Sequence, residues 1–322
     1  MQIFRCPSCG ERAYFHNLRC GSCGTDIAFD PGAQEMVTGV DMCDNRDKIG
    51  CNWQAEYVGG GLCRSCAMTE VVPDTLVQDN VALWSQAELA KRWVLANLAR
   101  WHWFDEVDAG PKPRFHLMSE HTRRGDENVV MGHDMGLVTI NVTEADPVEQ
   151  VRRQQELGES YRTMIGHFRH ELAHYLQVRL AETPGFLDEF RAMFGDETAD
   201  YGAALGRHYD SGPPADWAER FVTPYASAHP HEDWAETVAH LLHLTDIVDS
   251  AAAVGLDDEG DTHPPGDAYA MKDAEALIAR GADLGLAFNH VNRSMGLDDL
   301  YPFVLPAAVH EKLAFAHRHL NP

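Results

Sequence analysis

Two groups of residues in this 322-residue chain have types and spacings suited to metal chemistry. Gly166 to Gln177 reads GHFRHELAHYLQ and places His170, Glu171 and His174 in the order H-E-x-x-H. On a helix the two histidines lie one turn apart on one face, with Cβ atoms about 5 to 6 Å apart, which suits two imidazoles on one ion. Glu171 projects beside that face, where a carboxylate can hold and deprotonate a water. Zinc bound in this way keeps an open position and lowers the pKa of its water to about 7. A third protein ligand is needed, and a glutamate on a second helix is the usual complement. Glu232 and Glu236, one turn apart in YASAHPHEDWAETVAHLLH (Tyr225 to His243), are both candidates.

The second group is the cysteines. Cys6-x2-Cys9 and Cys20-x2-Cys23 bracket ten residues, with Gly10, Gly21 and Gly24 beside the sulfurs. Paired C-x2-C units at short separation point to tetrahedral zinc in a ribbon. Cys43, Cys51 and Cys63-x2-Cys66 form a less regular second set, flanked by Gly50 and Gly59 to Gly61. Structural zinc would replace a core too small to fold alone, and either module could also recruit a substrate or protein partner. Thiols in such pairs favour metal in a reducing compartment over a disulfide framework. The cytoplasm is the expected location.

Lys and Arg number 26 against 50 Asp and Glu, a net charge of −24. Residues 1–72 carry five Arg and one Lys against nine acids, so a nucleic-acid backbone is not the expected partner. MQIFRCPSCG has no apolar h-region, and no run approaches the roughly 18 apolar residues of a membrane span. We therefore expect neither a standard signal nor a membrane partner.

These residues must be carried by a helical body. Past Pro73 the composition turns to helix formers, so the expected division is a zinc ribbon at 1–38, a second cysteine module at 39–72 and one large domain at 73–322. Ser85 with Glu88 reads as a capping box, with Trp84, Trp93, Trp101 and Trp103 as core. Phe115 to Met118, Val129 to Met131 and Leu137 to Val142 read as strands around a charged turn, Thr122 to Asn128. The last is either an ordinary strand or the sheet edge along which an extended peptide pairs. Asp146-Pro147 starts a helix that Gly158 interrupts. The next, from about Ser160, carries H-E-x-x-H with Met164, Phe168, Leu172, Tyr175, Leu176 and Leu180 inward, and stops at Pro184-Gly185. Further helices are expected over 186–221, with turns at Gly195-Asp196 and Ser211 to Pro214. Pro230 then opens a helix whose buried stripe is Trp234, Val238, Leu241 and Leu242. An acidic, Gly-rich loop from Gly255 to Gly266 precedes terminal helices. The fold class is α+β, mostly helical with a small sheet.

H-E-x-x-H followed by Glu232-x-x-Ala-Glu236, with Tyr225 seven residues before Glu232, resembles gluzincin metallopeptidases of the anthrax lethal factor type. The cysteine knuckles, GHFRHELAHY, YASAHPHEDWAETVAHLLH and the terminal NRSMGLDDLYPF together resemble a bacterial family of zinc-binding metallopeptidases with an N-terminal zinc ribbon. The resemblance spans nearly the whole chain. It implies that His170, His174 and Glu232 are zinc ligands, Glu171 the catalytic base, Tyr225 the transition-state donor and Glu236 the carboxylate that orients a ligand imidazole. Peptide-bond hydrolysis of a peptide or protein substrate follows from those roles, with one catalytic and two structural zinc ions. The two glutamates could exchange roles.

Against this stands a non-enzymatic, zinc-stabilised interaction scaffold with a degenerate site. His167 is read as a surface or packing residue, His229, His231, His240 and His243 as residues flanking the site or solvated, and Asp200 and Asp233 as caps or surface acids.

Overall fold

The structure, a computed structural model, describes residues 1–77, 79–157, 162–256, 267–300 and 304–321. The expected break at Gly158 and helix start at Ser160, all but the first two residues of the Gly255 to Gly266 loop, and Tyr301 to Phe303 lie outside the described residues. The fold is α+β and mostly helical, in two compact units, Met1–Phe168 and Arg169–Pro322. Among the described residues no helix is long and apolar enough to cross a membrane.

The first unit begins with two short hairpins, β1 (Phe4–Arg5) with β2 (Arg12–Ala13) and β3 (Ala28–Asp30) with β4 (Glu35–Val37). Two one-turn helices follow, α1 (Arg46–Ile49) and α2 (Arg64–Ala67). The two cysteine segments share one aromatic core. Phe29 meets Phe4, Phe15 and Trp53 at centroid distances of 5.6, 4.9 and 5.7 Å. A bridge pairs Phe29 with Trp53, and the Asn52 amide donates to Phe15 O.

Strand β5 (Thr69–Val71) lies before Pro73 yet joins a four-stranded sheet. Helix α3 (Asn80–Ala99) follows, then β6 (Arg114–Met118), the hairpin β7 (His121–Thr122) and β8 (Gly125–Asp126), β9 (Gly132–Asp134) and β10 (Leu137–Asn141). The sheet order is β5-β6-β10-β9, with β10 parallel to β6 and antiparallel to β9.

Two expectations are corrected here, and one open alternative is decided. Helix α3 starts at Asn80, five residues before Ser85, so Ser85 and Glu88 make no capping box; the Ser85 hydroxyl instead donates to Ile49 O at 2.8 Å. The strand expected at Val129 to Met131 pairs at Gly132–Asp134, because Met135 and Gly136 (φ 44° and 88°) make a two-residue turn of the left-handed kind that sets Asp134 opposite Leu137. Strand β10 is internal, flanked by β6 and β9, and is not the sheet edge. Of the four tryptophans, Trp84 and Trp101 are buried and Trp93 and Trp103 half-buried.

After β10, helix α4 (Pro147–Leu157) starts as expected, with Asp146 Oδ1 accepting from the Val148 and Glu149 amides. Glu144, buried just before it, is gripped by Arg153, Arg162 and His167, whose Nε2 lies 3.0 Å from Glu144 Oε2. His167 is thus a polar packing residue. Burial alone would raise the Glu144 carboxyl, but His167 and Arg162 hold it well below its ordinary 4.5. A depressed folded-state value means stability that is present above the unfolded value and lost as pH falls. We expect the free energy of unfolding to drop as pH falls below about 4.5, and the Glu144→Gln variant to show a flatter slope across that window in denaturant titrations.

Helix α5 (Met164–Leu180) carries H-E-x-x-H, whose residues His170 to His174 belong to the second unit. Its inward residues are those expected, with Phe168, Leu172 and Leu176 fully buried and Met164 half-buried. In the second unit come α6 (Phe186–Phe194), α7 (Tyr201–Ser211), α8 (Trp217–Arg220), α9 (Pro230–Ala253), α10 (Ala274–Ser294) and α11 (Ala307–Leu320).

Helix α9 is the axis of that unit. Pro230 sits in its first turn, and Trp234, Val238, Leu241 and Leu242 are buried as expected. Trp234 is ringed by Phe186, Phe190, Phe194 and Phe315 at 5.7 to 6.2 Å, and its indole N–H donates to Ala173 O of α5. That bond fixes the turns of α5 and α9 that carry His174 and Glu232 against each other. Gly281 of α10 lies so close to α9 that a Cβ there would meet Leu244 Cβ at 2.9 Å.

Candidate metal centres

Three clusters of donor atoms converge among the described residues: the two cysteine sets, and His170, His174 and Glu232. Cys6 Sγ lies 3.8 Å from Cys23 Sγ, and Cys9 Sγ 3.6 Å from Cys20 Sγ. In the second set Cys51 Sγ lies 3.6 Å from Cys63 Sγ and 3.7 Å from Cys66 Sγ. Four sulfurs around zinc at about 2.3 Å define a tetrahedron whose edges are about 3.8 Å, so both sets have the size zinc needs. In the first set two matching turns produce this, each closed by a bond from Gly10 N to Cys6 O or Gly24 N to Cys20 O, with both glycines at positive φ.

The second set is wholly buried, and Cys63 N and Cys66 N donate to Cys43 Sγ and Cys63 Sγ. Lys91 and Arg92 of α3 lie beside it with no exposed surface. Glu88 pairs with Lys91 at 2.9 Å, and Arg92 Nε donates to Asn52 Oδ1. One carboxylate does not balance two buried cations. A zinc tetrathiolate carries two negative charges, and the attraction of Cys51, Glu88 and Cys66 outweighs burial in raising the Arg92 guanidinium. The charge beneath the cluster therefore fits an anionic metal site.

The third cluster lies entirely in the second unit. His170 Nε2 and His174 Nε2 are 3.1 Å apart, and Glu232 Oε2 is 3.1 Å from His170 Nε2. Two tetrahedral nitrogens on zinc would be separated by about 3.3 Å, so the pair fits one ion. His170 Nδ1 faces Glu236 Oε1 at 2.7 Å, and Thr223 Oγ1 donates to Glu236 Oε2 at 2.8 Å. A carboxylate at Nδ1 calls for a proton there, which leaves the Nε2 lone pair aimed at the cluster. Glu171 is buried at 7% exposure, and its Oε2 has no hydrogen-bond partner among the described residues.

Burial would raise the Glu232 carboxyl, but His170 and His174 hold it well below its ordinary range. The same contacts, with Glu236, keep the His170 imidazole well above its ordinary value against the effect of burial. Burial, then the Glu232 charge, push the Tyr225 phenol far up, so it stays a proton donor. Its ring lies 6.1 Å from that of His170.

The structure thus brings together His170, Glu171, His174, Tyr225, Glu232 and Glu236. Of the flanking histidines, His229 and His240 are buried, and His231 and His243 half-buried. His231 Nδ1 faces Gln177 Oε1 of α5 at 2.8 Å, and burial pushes the His240 imidazole down to about 4. Asp200 caps α7 through the Ala203 amide. Asp233 is not a surface acid: it is 1% exposed and paired with Lys312 Nζ at 2.6 Å, where the buried ammonium requires it. One residue absent from the expected set is Tyr201, whose hydroxyl donates to Glu232 Oε1 at 2.7 Å. No spacing rule links α7 to α9, so nothing in the sequence flags it.

Fold and sites define an α+β protein that combines two four-cysteine clusters with a two-histidine, one-glutamate centre on two packed helices. The chain belongs to the family described as "Putative zinc-binding metallo-peptidase", whose model matches residues 80–319, and a zinc-ribbon domain model matches residues 3–41. It is similar to uncharacterized proteins of Mycobacterium tuberculosis and Mycobacterium bovis, each 40% identical over 324 residues, covering 98% of this chain and 94% of the relative. No solved structure matches it.

Proposed function

We propose that the chain is a zinc-dependent peptidase in which His170, His174 and Glu232 hold the catalytic ion and residues 73–322 carry the chemistry. The observation behind this reading is the convergence of three metal donors next in sequence to a buried carboxylate oxygen, Glu171 Oε2, that has no hydrogen-bond partner among the described residues. Bound zinc would supply a Lewis acid for the scissile carbonyl and acidify a water. Glu171 takes the proton of the attacking water and returns it to the leaving amine. Tyr225 donates its hydroxyl to the oxyanion that develops as the carbonyl is attacked. Glu236, braced by Thr223, holds the Nδ1 proton of His170 and so fixes the tautomer that can bind metal. Residues 1–38 and 39–72 each hold a structural zinc, and the reduced thiols suit a cytoplasmic setting.

The test is metal analysis of the full chain with a peptide-library assay. Wild type should hold about three zinc per chain, and His174→Ala about two, with hydrolysis lost on chelation and restored by zinc. Equal zinc in both proteins would overturn the ligand set. Three zinc without cleavage of any peptide would favour a non-enzymatic scaffold.

A further inference from the structure

We infer that Tyr201 is a positioning residue for the metal centre, holding Glu232 through Oε1, the oxygen 3.6 Å from His174 Nε2, so that Oε2 faces His170. The inference rests on the reading of His170, His174 and Glu232 as the ligands. Tyr201 Oη donates to Glu232 Oε1 at 2.7 Å, while Glu232 Oε2 lies 3.1 Å from His170 Nε2. With Oε1 held by the hydroxyl, the carboxylate keeps one orientation, Oε2 toward His170 and Oε1 toward His174.

The tyrosine is itself held in place. It opens α7, immediately after the Asp200 cap. Just upstream, Ala199 O lies 3.0 Å from Nε2 of His229, the residue that precedes α9. His229 Nδ1 accepts from the His231 amide, so Nε2 carries the proton and donates to Ala199 O. The His229 ring also meets the Tyr201 ring edge to face at 5.2 Å. The starts of α7 and α9 are therefore clipped together by one buried histidine, and the Tyr201 hydroxyl reaches Glu232 from that fixed point. This is the arrangement by which an outer carboxylate orients a metal-bound histidine, applied here to the carboxylate ligand, and removing such a partner costs 10- to 100-fold in metal affinity.

Tyr201→Phe keeps the ring contact with His229 and removes only the hydroxyl. The experiment measures zinc affinity of the full chain by competition with a chromogenic chelator, in a double-mutant cycle of Tyr201→Phe with Glu232→Gln. A residue that acts through Glu232 weakens the weakest-held zinc 10- to 100-fold in the wild-type background and less than about twofold once Glu232 is Gln. Peptide hydrolysis lost at limiting zinc should return at high zinc in Tyr201→Phe. Wild-type affinity in Tyr201→Phe, or an equal loss in both backgrounds, overturns the inference, the second result marking a general structural effect. Failure of the ligand assignment itself shows separately, as unchanged zinc content in His174→Ala.

Discussion

Glu171→Gln is expected to lower kcat for peptide hydrolysis by at least about 100- to 10,000-fold while the chain keeps its full zinc content. The change is nearly isosteric and falls at a position only 7% exposed, so the packing of α5 is conserved. What is lost is the capacity to take a proton. Glu171 is none of the three converging donors, and among the described residues its Oε2 has no hydrogen-bond partner whose loss would propagate. The effect should therefore fall on kcat, with KM changing much less, because proton transfer is felt in the transition state and not in substrate binding. Steady-state kinetics and metal analysis on the same sample decide it; wild-type turnover with zinc in place would remove Glu171 from the base role.

Cys51→Ser is the substitution expected to cost most in stability. Cys51 is fully buried within hydrogen-bonding distance of two other sulfurs of its set. Structural zinc in small modules contributes about 10 to 16 kcal/mol, comparable to or larger than the whole stability of a typical domain. Loss of the ion would also strand Lys91 and Arg92, both without exposed surface, against Glu88 alone. An uncompensated buried charge costs about 3 to 5 kcal/mol. We expect loss of at least one zinc, rapid proteolysis within residues 1–72, and reduced near-ultraviolet dichroism from the Trp53 environment. Cys9→Ser, at an exposed sulfur, should be milder. A Cys51→Ser protein with the wild-type denaturation midpoint would show that the second cluster holds no metal that matters to folding.

The donor types that converge in the three clusters, and their spacing, were legible because metal chemistry imposes short, rigid intervals. His170 and His174 must be one turn apart, and each knuckle must close over two residues. The helix boundaries around α4 and α9 were readable for a related reason: Asp146-Pro147 and His229-Pro230 announce a first turn by local backbone chemistry. Ser85 and Glu88 misled because S-x-x-E has the same spacing inside a helix as at its start. There the hydroxyl serves a distant carbonyl, Ile49 O, which no local pattern encodes. Strand β9 was displaced from its expected place because a turn at Met135-Gly136, lacking the usual Asn-Gly signature, set the register. The burial of Asp233 depends on Lys312, and the role given to Tyr201 depends on His229, partners that only tertiary packing supplies.

The shared core around Phe29 and Trp53 bears on how the N-terminal region acquires its metals. The two cysteine sets look like beads on a string in the sequence, yet the Phe29–Trp53 bridge and the Asn52–Phe15 bond make each set a wall of the other's interior. If each set holds zinc as proposed, an ion in one would preorganise the other, and uptake is expected to be cooperative, with half-loaded chains scarce in a zinc titration.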